Sequence, residues 1–407
     1  MASAASLLIR GIHQSYSPKA MHPSSSYPGV VCLFSFLAMV ALPLNLQAQS
    51  FSDPVGFNKI TALGESDTYY SAPFHRQTKA IGTVESVSGC TIVVEGIPSW
   101  ATSEFVYSQG TQPNTYYISF TSGSRAGMYY TITANTEASG NNTATITIDL
   151  NGDVIDDPEG VQPGNTFKVI PYWTLSTLFP GQQGITTSTS IGGVGSCTCI
   201  FFPDLTSPGV NIASSAMFFY YDGTSFNGPG WRKIGGGFGV KFDDQVVIPD
   251  CYVIIRQEAA PTVSLVSSGN VPLGKKAFTL ATLQSNLAQD IAIALDIPIP
   301  LSLWDSQLFQ SGALKPSTTI NGIDGDRLLY YDNSFAIKNR SSSKTFYYYT
   351  GSLYGGPGWR QTAGGFTAIK NNEVVFYPGS GFVIRKAAEN VPTTKLWKIT
   401  PPYNVSE

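Results

Sequence analysis

A long internal repeat constrains this chain more than any motif does. Residues 217–261 (MFFYYDGTSFNGPGWRKIGGGFGVKFDDQVVIPDCYVIIRQEAAP) match residues 345–392 (TFYYYTGSLYGGPGWRQTAGGFTAIKNNEVVFYPGSGFVIRKAAENVP). Tyr220-Tyr221 lines up with Tyr348-Tyr349, the GPGWR at 228–232 with that at 356–360, and Ile255-Arg256 with Ile384-Arg385, at offsets of 128, 128 and 129. Both strings alternate as strands do, so one supersecondary design is used twice. Leu178-Phe179 with Leu308-Phe309, and Gly195 with Gly325, extend the match at an offset of 130, so the copies begin near Trp173 and Leu303. That alignment sets Arg327 and Leu329 against Cys197 and Cys199.

Residues 80–172 have another texture. Short alternating runs (IGTVESVSG, YYISF, MYYTITANT, ATITIDL, TFKVIPY) are punctuated by turns every 8–12 residues, which predicts a small SH3-like or similar closed β-barrel. Strand-like runs in 54–76 have counterparts in 263–300, ahead of the second copy. The expected fold is therefore all-β: an inserted barrel at 80–172, a discontinuous first module at 53–79 plus 173–262, and a second module at 263–407. The two modules should pack as a pseudo-symmetric pair. The one candidate helix is 281–294, which reads equally as a loop followed by a strand.

The N-terminus reads as an export signal. Residues 30–42 are uncharged and apolar, Arg10 and Lys19 precede them, and no acidic residue occurs before Asp53. Cleavage after Ala48 gives a signal peptide of 1–48, with Met21 as a second candidate start; an uncleaved anchor is the alternative. The expected location is the periplasm, the cell surface or the extracellular space. Past residue 50 no apolar run has membrane-spanning length. Removing the leader leaves 22 basic against 27 acidic residues, a balance that argues against nucleic-acid binding.

Few chemistries have the residues they need. His75 is the only histidine past the leader, and beside Arg76 at a strand end it reads as a surface residue. No GxSxG, HExxH or P-loop string occurs, and the glycine run 235–239 precedes a strand pattern, so it reads as a turn. Asp149, Asn151, Asp153 and Asp156 make 149–159 the candidate calcium loop, although its glycine is displaced and its twelfth position is Gly160. An acidic turn between barrel strands explains the same residues. Cys199 and Cys251 are the candidate disulfide, because Cys197 and Cys199 point the same way along one strand.

Tyr220, Trp231 and Arg232, with Tyr348, Trp359 and Arg360, are the candidate binding residues. Exposed, their rings would form a platform for sugar faces; buried, they would be core. The core reading predicts buried Trp231 and Trp359, with both arginines nearer the surface along the rings or against a carboxylate.

The strings DPVGF, WATSEFVY, YYISFTSGSRAGMYYTITANT, IPYWTLSTLF, GDRLLYYDN and GFVIRKA stand in this order along nearly the whole mature chain. In this the chain resembles a family of exported β-rich proteins from Verrucomicrobia-type bacteria with no established activity. The resemblance implies export and a β-rich fold, and brings no catalytic residues. TSGSRAGMYYTITANT alone is similar to a β-module of phage-tail and bacterial surface proteins, which implies an adhesive or assembly context. The function expected is non-catalytic surface binding or extracellular assembly, with a glycan or surface component as partner. The alternative is a polysaccharide-acting hydrolase using two carboxylates, for which the discriminator is a cleft holding such a pair in split environments.

Overall fold

The computed structural model describes residues 53–403 apart from 141; the signal peptide expected at 1–48 lies outside the described residues. The chain enters through β1 (Val55–Ala62) and β2 (Asp67–Tyr70). Six strands then close a barrel: β3 (Ala80–Ser88), β4 (Thr91–Val94), β5 (Tyr116–Phe120), β6 (Tyr129–Thr136), β7 (Ala144–Ile148) and β8 (Thr166–Pro171). Its order is β3-β4-β7-β6-β5-β8. The alternation of Ala144, Ile146 and Ile148, or Phe167 and Val169, sends every second side chain into one core with Val84, Ile92 and Ile118. Gly82 lets that core close: a Cβ there would stand 2.4 Å from the Phe167 ring.

The chain next forms β9 (Trp173–Thr174), a single helical turn α1 (Leu175–Leu178), β10 (Thr198–Phe202), β11 (Ala216–Tyr221), β12 (Gly230–Lys233), β13 (Val246–Val247), β14 (Val253–Gln257) and β15 (Val263–Asn270). The remainder holds β16 (Lys276–Ala281), β17 (Gln289–Ala294), β18 (Leu301–Ser302), β19 (Arg327–Tyr330), β20 (Lys344–Tyr349), β21 (Gly358–Gln361), β22 (Val374–Phe376), β23 (Gly381–Lys386) and β24 (Thr394–Ile399). The candidate helix at 281–294 is absent: after the last residue of β16 the segment is a turn leading into β17 (QDIAIA), which pairs antiparallel with β23, the loop-then-strand alternative.

Two five-stranded antiparallel sheets carry the repeat, ordered β12-β11-β10-β14-β2 and β21-β20-β19-β23-β17. The accessory pairs correspond as well: β13-β9 with β22-β18, and β1-β15 with β16-β24. Thus β2 pairs with β14 across the barrel sequence, and the barrel stands where the second copy has only 295–300. Because β15 pairs with β1, residues 263–270 lie by pairing with the first copy rather than at the start of the second. Register also corrects the alignment around the cysteines. Cys199 faces Arg256 as Arg327 faces Arg385, so Arg327 answers Cys199 and Gly325 answers Cys197.

The two sheets meet through Tyr69, Tyr252, Ala294, Leu329 and Val383. Their polar contacts are reciprocal. Arg256 forks onto Asp67 at 2.6 and 2.8 Å and reaches Asn339 of the second copy. Arg385 forks onto Asp290 at 2.7 and 2.8 Å and reaches Asn211 of the first. The loop carrying Asn339 also covers β2, through Asp67 N–H to the Ile337 carbonyl, while the loop carrying Asn211 covers β17, through Asp290 N–H to the Gly209 carbonyl. Each inner edge strand is therefore closed by the other copy's loop, which satisfies backbone groups an open edge would leave exposed.

Candidate binding site

Trp231 and Trp359 are 1% and 0% exposed. Trp231 packs between Phe179 and Tyr220, and Trp359 meets Tyr348 edge-on with ring centroids 5.8 Å apart. Tyr220 is half-buried, and Tyr348 is buried against Phe309. None of these four rings is a platform; they belong to the two module cores.

The arginines overturn the expectation placed on them, because Arg232 and Arg360 are 1% and 0% exposed. Each lies beside its own copy's tyrosine, 5.5 Å from the Tyr221 ring and 5.8 Å from Tyr349. Among the described residues neither has a carboxylate partner. The turn itself is the partner. Arg232 Nη2 donates to the carbonyls of Phe226 (3.0 Å) and Gly228 (2.6 Å), and Arg360 Nη2 to those of Tyr354 (2.9 Å) and Gly356 (2.6 Å). The tight GPG turn aims these carbonyls inward, with φ of 73° at Gly228 and 86° at Gly356, where a side chain would strain. In each copy one terminal nitrogen serves both turn carbonyls, and the planar fork carries Nη1 to a third carbonyl, that of Trp231 or Thr367, which a single ammonium could not hold from the same fixed plane. Asp243 and Asn371 complete the motif, each side-chain oxygen accepting the backbone N–H of its tryptophan at 2.9 Å. Only an acceptor is needed there, which is why the second copy can replace an acid with an amide.

The exposed rings are those this buried frame holds out. Phe226 and Tyr354, at an offset of 128, have φ of 51° and 52°, the left-handed region that bulky residues avoid. Both side chains face solvent, 47% and 51% exposed. Phe226 meets Phe238 with centroids 5.6 Å apart, and Tyr354 meets Phe366 at 6.2 Å. Phe238 is 62% exposed, and Val240, Leu353 and Ile369 add further apolar surface. Each tip lies by the outer edge strand, β12 or β21, away from the junction of the two sheets. The sequence already carried the signal: an aromatic five residues before each Trp, and another seven after it, in both copies.

A second polar centre lies where barrel and modules meet. His75, read as a surface residue, is largely buried, and its Nε2 is 2.5 Å from Asp296 Oδ2 and 3.1 Å from Lys276 Nζ. Tyr117 and Tyr129 of the barrel close over it, and Tyr129 donates to Asp250 Oδ1 at 2.6 Å. Burial raises the Asp250 pKa. Burial pushes Asp296 the same way, but Lys276 and His75 outweigh it and hold its carboxyl well below the usual range. The two carboxylates thus have the split character a hydrolase would use, yet the cavity they line is about 10 Å³, room for a water and not a sugar ring.

Burial, and then the Lys276 ammonium, lowers the His75 pKa against the pull of Asp296. Native His75 is therefore neutral where the unfolded chain's imidazole, titrating near about 6.5, has taken a proton. The unfolded state then binds more protons, so stability falls as pH drops below about 6.5. Denaturant midpoints at about pH 7.5 and about pH 5.5 should show this loss, and His75→Gln should reduce it.

The remaining candidates are dispersed. Asp153 accepts from Arg125 (3.1 Å) and Tyr130 (2.6 Å), Asp156 from Gly89 N–H, and Asp149 from Asn151 N–H. Calcium would have to displace these donors. The Cys199–Cys251 disulfide is overturned: Cys90, Cys197, Cys199 and Cys251 are all free thiols. Cys197, just before β10, and Cys199 within it both turn toward the Val194 carbonyl, at 3.8 and 3.6 Å, while Cys251 sits by the Tyr252 carbonyl. Among the described residues no helix is long and apolar enough to cross a membrane.

No protein-family model, no curated protein and no solved structure matches this chain.

Proposed function

We propose that this is a non-catalytic exported protein that binds a glycan or similar surface component through its two aromatic tips, in surface attachment or extracellular assembly. One observation carries the reading. In both copies an exposed aromatic residue is held in an unfavourable left-handed conformation by a buried arginine, beside a second exposed ring. Such strain persists only where the surroundings over-determine it, and it clusters at binding sites. Paired rings offer apolar faces to the C–H faces of sugars at little entropic cost, since the frame is already rigid. Two equivalent tips at outer sheet edges suit a repeating polymer, where engaging both raises avidity without a new contact. Export, which the leader and the family resemblance imply, belongs to the same proposal. The hydrolase alternative loses ground because its carboxylates line a cavity too small for a sugar.

The test is a glycan array followed by polysaccharide pull-down. We expect Phe226→Ser or Tyr354→Ser alone to weaken retention on a polymer about 10-fold or more, and the double variant to abolish it. Folding should be unharmed, since both side chains face solvent and serine adds no bulk to a backbone already held left-handed; glycine at either position should instead relieve the strain and raise stability by about 1 kcal/mol. Binding that survives the double variant would sink the proposal. Sugar release from a polysaccharide would favour the hydrolase.

A further inference from the structure

The junction supports a second inference that does not depend on the tips. Lys276, at the start of β16, and Asp296, just past β17, are 7% and 4% exposed, and Nζ stands 2.6 Å from Oδ2. His75 Nε2 touches both atoms, 3.1 Å from the nitrogen and 2.5 Å from the oxygen. Asp296 Oδ1 is buried with no hydrogen-bond partner. Tyr117, Tyr129, Phe278 and Asp250 line the same small cavity.

We propose that Lys276 and Asp296 condense into an intramolecular amide, a covalent clasp between β16 and the segment after β17. The Nζ–Cγ bond forms and the Cγ–Oδ2 bond breaks. From an ammonium and a carboxylate, Oδ2 leaves as water with two of the three ammonium protons. One crosses the direct contact; the other passes through His75 Nε2, which stands within reach of both donor and acceptor. No oxidant or cofactor is consumed. Holding the two groups in contact replaces a bimolecular encounter with a unimolecular step. Burial supplies the drive: an ion pair taken out of water recovers its lost solvation only with full hydrogen bonding, which Oδ1 lacks, whereas the amide is neutral. Lys386 and Asp326 form the internal contrast. They are equally buried and paired, but Asp326 accepts backbone N–H groups from Lys315 and Ala387 at 2.7 Å each, and no histidine bridges them. That pair should stay unlinked.

The intact mass of the purified, denatured chain decides, taken against the mass calculated from its sequenced N-terminus. We expect a deficit of one water, mapped after proteolysis to a branched peptide joining the Lys276 and Asp296 segments. Lys276→Met and Asp296→Ala should restore the full mass, and His75→Gln should leave a smaller linked fraction. Full mass in the folded natural sequence overturns the proposal, so a variant that fails to fold does not shield it. A deficit mapped instead to the Asp-Gly bonds at Asp222 or Asp324, where imide formation loses the same mass, overturns it equally.

Discussion

Trp231→Ala or Trp359→Ala lowers the free energy of unfolding by about 3–5 kcal/mol, measured by denaturant titration, as expected for truncating a large core aromatic. Both indoles are sealed from solvent between strands of their own module. Either change opens a cavity whose walls, the β10–β11 or β19–β20 strands, are held by their ladders and cannot collapse into it. Trp359→Phe should be far milder, because the Trp359 indole N–H is buried without a partner and its loss removes a liability. A cost below about 1 kcal/mol for either alanine would mean that the ring is not core.

Arg232→Ala and Arg360→Ala each cost about 2–3 kcal/mol, since converging turn carbonyls lose a charged donor while remaining partly buried. Lysine should not rescue fully, because an ammonium can serve the two turn carbonyls but cannot also hold, from one rigid plane, the third carbonyl that Nη1 reaches. This separates the turn-holding role from a merely electrostatic one. Each variant should also free its tip: Phe226 or Tyr354 would leave the left-handed conformation, and glycan retention would fall along with stability. If lysine restores both, the fork geometry is irrelevant and the account of the tip fails. Arg360 should be the more damaging site for binding. Its Nη1 also donates to the Thr367 carbonyl at 3.0 Å, tying down the arm that carries Phe366, whereas Arg232 Nη1 donates only to its own neighbour, Trp231.

The outcome for individual residues separates what was legible in the chain from what was not. Alternation along ATITI or FFYY states which side chains share a face, so the all-β class, the closed barrel and the buried tryptophans could be read locally. Pattern does not state what covers a face. Arg232 and Arg360 were expected near the surface because arginine usually is, but their acceptors are carbonyls of a turn only a few residues back, aimed inward by glycine geometry. Phe226 and Phe238 were not among the sequence candidates, because exposure depends on where a strand edge ends, not on composition.

Long-range partners were beyond any local reading. His75 meets Lys276 and Asp296 across 201 and 221 residues of sequence, and the crossed contacts of Asn211 and Asn339 exist only once two sheets face each other. By itself, the sequence determined the strand pattern, the repeated Trp-Arg turn and the apolar cores, because these follow from short-range periodicity and turn chemistry. Tertiary structure alone decided which polar groups lost water together. Desolvation depends on every segment that closes over a site, and three distant segments close over His75.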